Sequence, residues 1–358
     1  MATHVLPGGA GEEPLTQEDP DRFTILPLKY PGIWAWYKKM EHQTWVAQDA
    51  DLSLDRKHWD LLSPGERVFY GYIFGMFGGA DEKIIRNLAE RFASEFTVKE
   101  AIYFYNQQTQ NEGVHSEAYS LQIETLYDGE EKEAMFRAAL NMPVVGKMMA
   151  WADAWIGSAE SLGVRVAAFA VFEGVLFQGQ FLALQLLKNR NIMPGVTTLN
   201  ELISRDEGTH CLFACYLLVN HIQHRPTLAR VHQIVGEAVG LFDEFIASAI
   251  ADAKKADGLA DTDSCPVPHV AEEKMKQYVR FVADGVSVDM GYPALYGVSN
   301  PYPETVKLSL NEVLKTNFFE NVTTQYSAKV DYTFTANPRR CVPVGLGVSA
   351  QVPARYVV

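Results

Sequence analysis

The sequence predicts an all-α fold, a helical bundle built around four central helices, and three observations lead to it. Apolar residues recur at helical spacing in segment after segment from Pro31 to Met290. Glu-x-x-His occurs twice, as Glu112 with His115 and as Glu207 with His210. The run from Val164 to Leu187 is apolar almost throughout and carries Glu173 in its middle.

The elements follow in order. Phe23 to Tyr30 reads as a short extended segment broken by Pro27, after which Pro31 opens an amphipathic helix. Trp45 falls in the connection that follows. A helix is expected after Ser63, with Pro64 in its first turn and Glu66 completing a capping box, running to about Phe92. On it Phe74, Phe77, Asp81, Ile84 and Leu88 share one face, so Asp81 stands in an apolar stripe. A cap or salt bridge at a break beside Gly78 and Gly79 is the competing account of that carboxylate. The next helix, Tyr103 to Leu126, stacks Glu112, His115 and Tyr119 over successive turns, with Cβ atoms about 5–6 Å apart. A helix from Glu130 to Trp155 precedes a loop at Gly157 to Gly163. Val164 to Leu187 reads as one helix buried on all sides, where an ionised Glu173 survives only if paired or metal-bound; a protonated, hydrogen-bonded carboxyl is the alternative. Asn200 to His221 holds Asp206, Glu207 and His210. Helices at Thr227 to Ala256 and Ala271 to Met290 follow, then short helical pieces from Pro301 to Tyr326.

With 358 residues, 47% of them hydrophobic, the chain can bury one large core. The organisation expected is a disordered leader at 1–20, a helical domain at 21–326 and a flexible tail at 327–358. Lys and Arg total 31 against 44 Asp and Glu, a balance that argues against a nucleic-acid surface and against anionic membrane. Four cysteines without paired C-x-x-C spacing fit a reducing cytoplasm, with Cys211 and Cys215 as core thiols. No signal peptide is recognised, and charge interrupts every window long enough to span a membrane. No glycine-rich phosphate loop is present. His42, His58, His221, His224 and His232 are assigned to surface or packing roles.

Collected, the buried acids and histidines are Asp81, Glu112 with His115, Glu173, and Glu207 with His210, from four helices. One carboxylate from each of two helices and Glu-x-x-His from each of two others is the ligand pattern of ferritin-like di-iron and di-manganese carboxylate proteins. Four carboxylates and two imidazoles, oxygen-rich with a little nitrogen, suit iron or manganese. The fold class thus sharpens to a ferritin-like bundle with additional helices and a dinuclear metal site at its centre.

From about Arg22 to Tyr326 the residues resemble the small, radical-generating subunit of class I ribonucleotide reductase. The motifs are Trp45-Val-Ala-Gln-Asp-Ala-Asp-Leu with His58-Trp59, Asp81-Glu-Lys-Ile-Ile, Glu112-Gly-Val-His115-Ser-Glu-Ala-Tyr119, Val171-Phe-Glu173-Gly, Ser204-Arg-Asp206-Glu207-Gly-Thr-His210 and Lys315-Thr-Asn-Phe-Phe-Glu320. The resemblance implies two iron ions per chain, with manganese as the other metal, and a Tyr119 radical formed when the reduced pair meets dioxygen. It implies that Phe177, Phe181 and Ile203 form an apolar pocket around the radical, that Trp45 and Asp206 relay electrons and protons, and that Tyr326 is the mobile tyrosine near the chain end. It implies a homodimer that serves a separate large subunit, where the ribonucleotide is reduced. The sequence departs from that family at Gly78-Gly79-Ala80 and in a tail with no acidic residue after Asp331. An iron-storage bundle, and a stand-alone di-metal oxidase or monooxygenase in which Tyr119 is an ordinary core residue, use related ligands and remain the competing functions at this level.

Overall fold

The computed structural model describes residues 13–87, 95–260, 262 and 264–303, with the backbone alone at 79–87 and 156. Among them every regular element is helical: α1 (Pro31–His42), α2 (Asp55–Trp59), α3 (Pro64–Asn87), α4 (Lys99–Leu126), α5 (Gly129–Asn141), α6 (Pro143–Ile156), α7 (Leu162–Val171), a π-helical turn (Phe172–Leu176), α8 (Gln178–Lys188), α9 (Pro194–Asn220), α10 (Leu228–Ala256) and α11 (Glu272–Asp289).

The start signals behave as their chemistry demands. Ser63 Oγ accepts from the Glu66 N–H at 3.1 Å while Glu66 Oε2 accepts from the Ser63 N–H at 2.9 Å, so the capping box opens α3. Thr227 caps α10 by accepting from Arg230 N. The expected helix from Glu130 to Trp155 is instead two, α5 and α6. Pro143 forces the break: it has no N–H to donate, and it pushes Met142 into extended backbone, φ −63° and ψ 121°.

The single helix expected from Val164 to Leu187 is also divided, by the π turn that holds Glu173. One extra residue enters the helix there. Gly174 allows it, because a Cβ at that position would lie 2.3 Å from Cys211 Sγ on α9. By length and composition Leu162–Lys188 could cross a membrane, yet its apolar residues are entirely buried in the protein.

Around this buried helix the others pack in layers. α4 lies against α3 and α9, and α9 runs along α7, the π turn and α8. On the outside, α1 crosses α4, α10 covers α3 and α7, and α11 covers α10 and the π turn. The start of α9 is fixed from α2: Asp55 is fully buried, and its two oxygens accept from Gly195 N at 3.1 Å and Val196 N at 2.6 Å. His58 Nδ1 accepts from Met193 N at 3.0 Å, holding that residue in the left-handed region at φ 53°. His58 therefore has a positioning task in addition to packing.

The expected leader behaves in two ways. Residues 1–12 lie outside the described residues, but 13–17 are packed, in contrast to the expectation of disorder. Leu15 is completely buried, its carbonyl accepts from Thr97 N, and Glu13 accepts from the N–H groups of Gln223 and His224 at 2.8 Å each. The tail at 327–358 lies outside the described residues.

Candidate metal centre

Three helical elements converge on one buried cluster. α4 brings Glu112 and His115, the π turn brings Glu173, and α9 brings Glu207 and His210. Ligand atoms of Glu112, Glu173, Glu207 and His210 all lie within 4.8 Å of one another. His115 joins them: its Nδ1 is 2.9 Å from Glu207 Oε1 and 3.2 Å from Glu112 Oε2. His210 Nδ1 stands 3.0 Å from Glu112 Oε1 and 3.4 Å from Glu207 Oε2. None of these five residues exposes more than 4% of its surface. Asp81 lies on α3, which packs on α4, and its side chain is outside the described residues.

Three buried carboxylates with two imidazoles cannot all carry their ordinary charges in this environment. Burial works against charge on both imidazoles, yet the facing carboxylates hold His115 well above its usual range and lift His210 to about 9. Burial pushes Glu173 well up, helped by the charges of Glu207 and Glu112. For Glu207 burial is outweighed by the closely approaching imidazoles of His115 and His210, which hold it far below the usual carboxylate range. Protons thus balance the cluster when no metal is bound, and a divalent ion would displace them.

The donors also fit such an ion. Among the described residues, Glu112 Oε1, Glu173 Oε2, Glu207 Oε2 and both nitrogens of His210 are buried without a hydrogen-bond partner, their mutual approaches lacking hydrogen-bond alignment. Unpartnered polar atoms concentrated at one point in this way are what a bound cation would complete.

A second line of contacts leaves the cluster through His115. Its Nε2 is 3.4 Å from Asp206 Oδ2, and the same oxygen accepts from Trp45 Nε1 at 2.6 Å and Asn111 Nδ2 at 2.8 Å. The Trp45 ring stacks on the His115 ring, centroids 5.9 Å apart at 24°. Asp206 Oδ1 is taken by Arg205 at 2.9 and 3.1 Å. Burial opposes charge on Asp206, but Arg205, His115 and Trp45 hold it below its usual range. Arg205 also donates to Gln43 O, and Thr209 to Gln43 Oε1, which ties the end of α1, and so Trp45, to α9.

Tyr119 is 3% exposed and stacks on Phe77, centroids 5.0 Å apart at 23°. Phe77 in turn stacks on Phe181 at 5.0 Å and meets Phe177 edge-on at 5.9 Å. Ile203 is buried on α9. Tyr326 lies outside the described residues.

Sequence reasoning overlooked Gln108, whose Nε2 donates to Glu173 Oε1 at 3.1 Å, together with Asn111, Arg205 and the linking role of Phe77. The signal for two of them was present. Gln108 lies four residues before Glu112, and Asn111 four before His115, so both share the ligand face of α4.

Comparison with known proteins agrees with this arrangement. The family model described as ribonucleotide reductase, small chain, matches residues 22–301. The ribonucleoside-diphosphate reductase small chain of African swine fever virus is 43% identical over 316 residues, covering 88% of this chain and 94% of the viral one. Human ribonucleoside-diphosphate reductase subunit M2 is 42% identical over 322 residues, covering 89% and 78%. Among solved structures, the ribonucleotide reductase Rnr4 homodimer from Saccharomyces cerevisiae matches with a TM-score of 0.70 and 28% identity, over 81% of this chain and 88% of that one. Dimanganese(II)-NrdF from Streptococcus sanguinis shares the fold at a TM-score of 0.67 and 19% identity, over 82% and 99%.

Proposed function

Because the chain belongs to the ribonucleotide reductase small-chain family and acts as the small subunit of a ribonucleoside-diphosphate reductase, we propose that its buried cluster holds two iron ions and that Tyr119 carries the radical. The observation that carries this is the joint presence of the orphaned Glu and His donors and the hydrogen-bonded line from Trp45 through Asp206 to His115. The ligands would be Asp81, Glu112, His115, Glu173, Glu207 and His210. When bound, the metal pair supplies the dioxygen activation that oxidises Tyr119.

The chain's own residues do the rest. Phe77, Phe177, Phe181 and Ile203 keep water and reactive side chains from the Tyr119 ring, which prolongs a radical there. Asp206 Oδ2, 2.6 Å from Trp45 Nε1, receives the indole proton as Trp45 gives up an electron and returns it afterwards. Asn111 and Arg205 hold that carboxylate in place. The oxidising equivalent leaves Tyr119 by way of Trp45 and reaches Tyr326, the handover point to a large subunit on which the ribonucleotide is reduced. A homodimer in the cytoplasm completes the reading, with the bundle giving way to the tail near residue 326. The family match over 22–301 favours it over a stand-alone oxidase.

Reconstituting the protein with ferrous iron and air tests the reading. Low-temperature electron paramagnetic resonance should show a tyrosyl radical, and elemental analysis should find two metals per chain; no radical with iron bound would defeat it, and a preference for manganese would correct the metal. Tyr326→Phe should keep that radical and lose only turnover with the large subunit.

A further inference from the structure

Two tryptophans flank the end of α1, and their surroundings are opposite in charge. Trp45 places its N–H on a carboxylate, Asp206. Trp36 has an ammonium over its ring: Lys39 Nζ stands 4.9 Å from the ring centroid, is itself buried, and has no hydrogen-bond partner among the described residues. Exposure does not separate the two indoles, which show 7% and 6% of their surface. The electrostatics do.

Trp36 also lies on an aromatic line of its own. Tyr105, on the ligand-bearing α4, contacts Phe213 with centroids 5.5 Å apart, and Phe213 contacts Trp36 at 6.3 Å. From Trp36 the line continues to Tyr216 at 5.9 Å, His221 at 5.3 Å and Tyr30 at 5.6 Å, ending at half-buried side chains. Such a line could drain an oxidising equivalent from the bundle centre to its surface, away from Trp45. A tryptophan that loses an electron becomes cationic, and a buried cation against its face opposes that loss.

We propose that the Lys39 ammonium keeps Trp36 reduced, so that electrons are drawn from Trp45 and not along this second aromatic line. Lys39 acts through Trp36, as a positioning residue for electron flow. Burial, with repulsion from Arg205, brings Lys39 down to about 8, and it is still mainly charged at neutral pH. A buried ammonium without an acceptor is otherwise a liability to the fold, since an apolar side chain of the same length would sit there more stably.

The inference rests on the proposed relay role of Trp45, and its test is arranged so that the two can fail separately. In the metal-free, full-length protein, photogenerated ruthenium(III) tris-bipyridine removes one electron from an indole and returns to ruthenium(II). The indole radical loses its proton, takes up dioxygen, and is located as oxidised tryptophan by peptide mass spectrometry with fragmentation that separates Trp34 from Trp36. The wild type should be oxidised at Trp45 with Trp36 spared. Lys39→Met should raise the ratio of oxidised Trp36 to oxidised Trp45 by about tenfold or more, and Lys39→Gln should do likewise. Lys39→Arg, which keeps the charge, should retain the wild-type ratio. After iron reconstitution, Lys39→Met should give less tyrosyl radical, and adding Trp36→Phe should restore it. An unchanged ratio in both Lys39→Met and Lys39→Gln overturns the inference. Absence of a radical in the reconstituted wild type overturns the Tyr119 reading instead, while the metal-free ratio still reports on Lys39.

Discussion

Tyr119→Phe should abolish the tyrosyl radical signal of the iron-reconstituted protein and leave its metal content unchanged. The substitution removes one oxygen and nothing else. The ring that stacks on Phe77 at 5.0 Å stays, so the apolar pocket keeps its packing, and folding stability falls by no more than about 1.5 kcal/mol. None of the five gathered ligands changes, since Tyr119 lies a full turn beyond His115 on α4. Electron paramagnetic resonance, elemental analysis and nucleotide reduction with a large subunit are the three measurements. A radical of unaltered shape in the variant would move the assignment to another side chain.

Glu173→Gln should change stability in opposite directions depending on metal. In the metal-free chain the Glu173 carboxyl keeps its proton to higher pH when folded than when unfolded, burial being the first cause and the charges of Glu207 and Glu112 the next. Above the ordinary value of 4.5 the folded state therefore binds more protons than the unfolded one. That contribution is most favourable below this pH and is lost as pH rises toward the folded value. Glutamine carries no such proton, and its amide oxygen can still accept from Gln108. The metal-free variant should consequently melt higher than wild type at neutral pH, by about 2 °C or more, and its melting temperature should fall less steeply between acid and neutral pH. With iron the order should reverse, because the variant lacks a carboxylate oxygen of the proposed ligand set and should gain little from the metal. Calorimetry with and without iron decides it, and a variant that gains as much from iron as wild type would remove Glu173 from the ligand set.

Much of this architecture was legible residue by residue. The capping box at Ser63 and Glu66, proline at the start of α1, and Thr227 before α10 are local chemistry, which a sequence displays directly. The two Glu-x-x-His pairs were equally plain, because a helix turns three or four residues of spacing into one face. The π turn was not, since a one-residue insertion leaves no trace in a run that is apolar at every phase. Pro143 did carry its break in the sequence, and the helix period on either side hid it. Trp45 and Asp206 are 161 residues apart, and no periodicity connects them; resemblance alone singled them out before the 2.6 Å contact was seen. Glu13 looked like part of a loose leader because its partners are backbone groups of residues 223 and 224, far along the chain.

The wholly buried stretch from Leu162 to Leu187 has its natural cover made after it. Its main packing partners, α9, α10 and α11, all lie C-terminal to it, and the last of them ends about a hundred residues later. At about 5–20 residues per second, a ribosome would need about 5–20 s to deliver them. For much of that interval the most apolar stretch of the nascent polypeptide waits for its natural cover to be completed. A translational pause placed between α9 and α11 would therefore lengthen the time this stretch spends without its full cover, whereas one placed well beyond α11 would not.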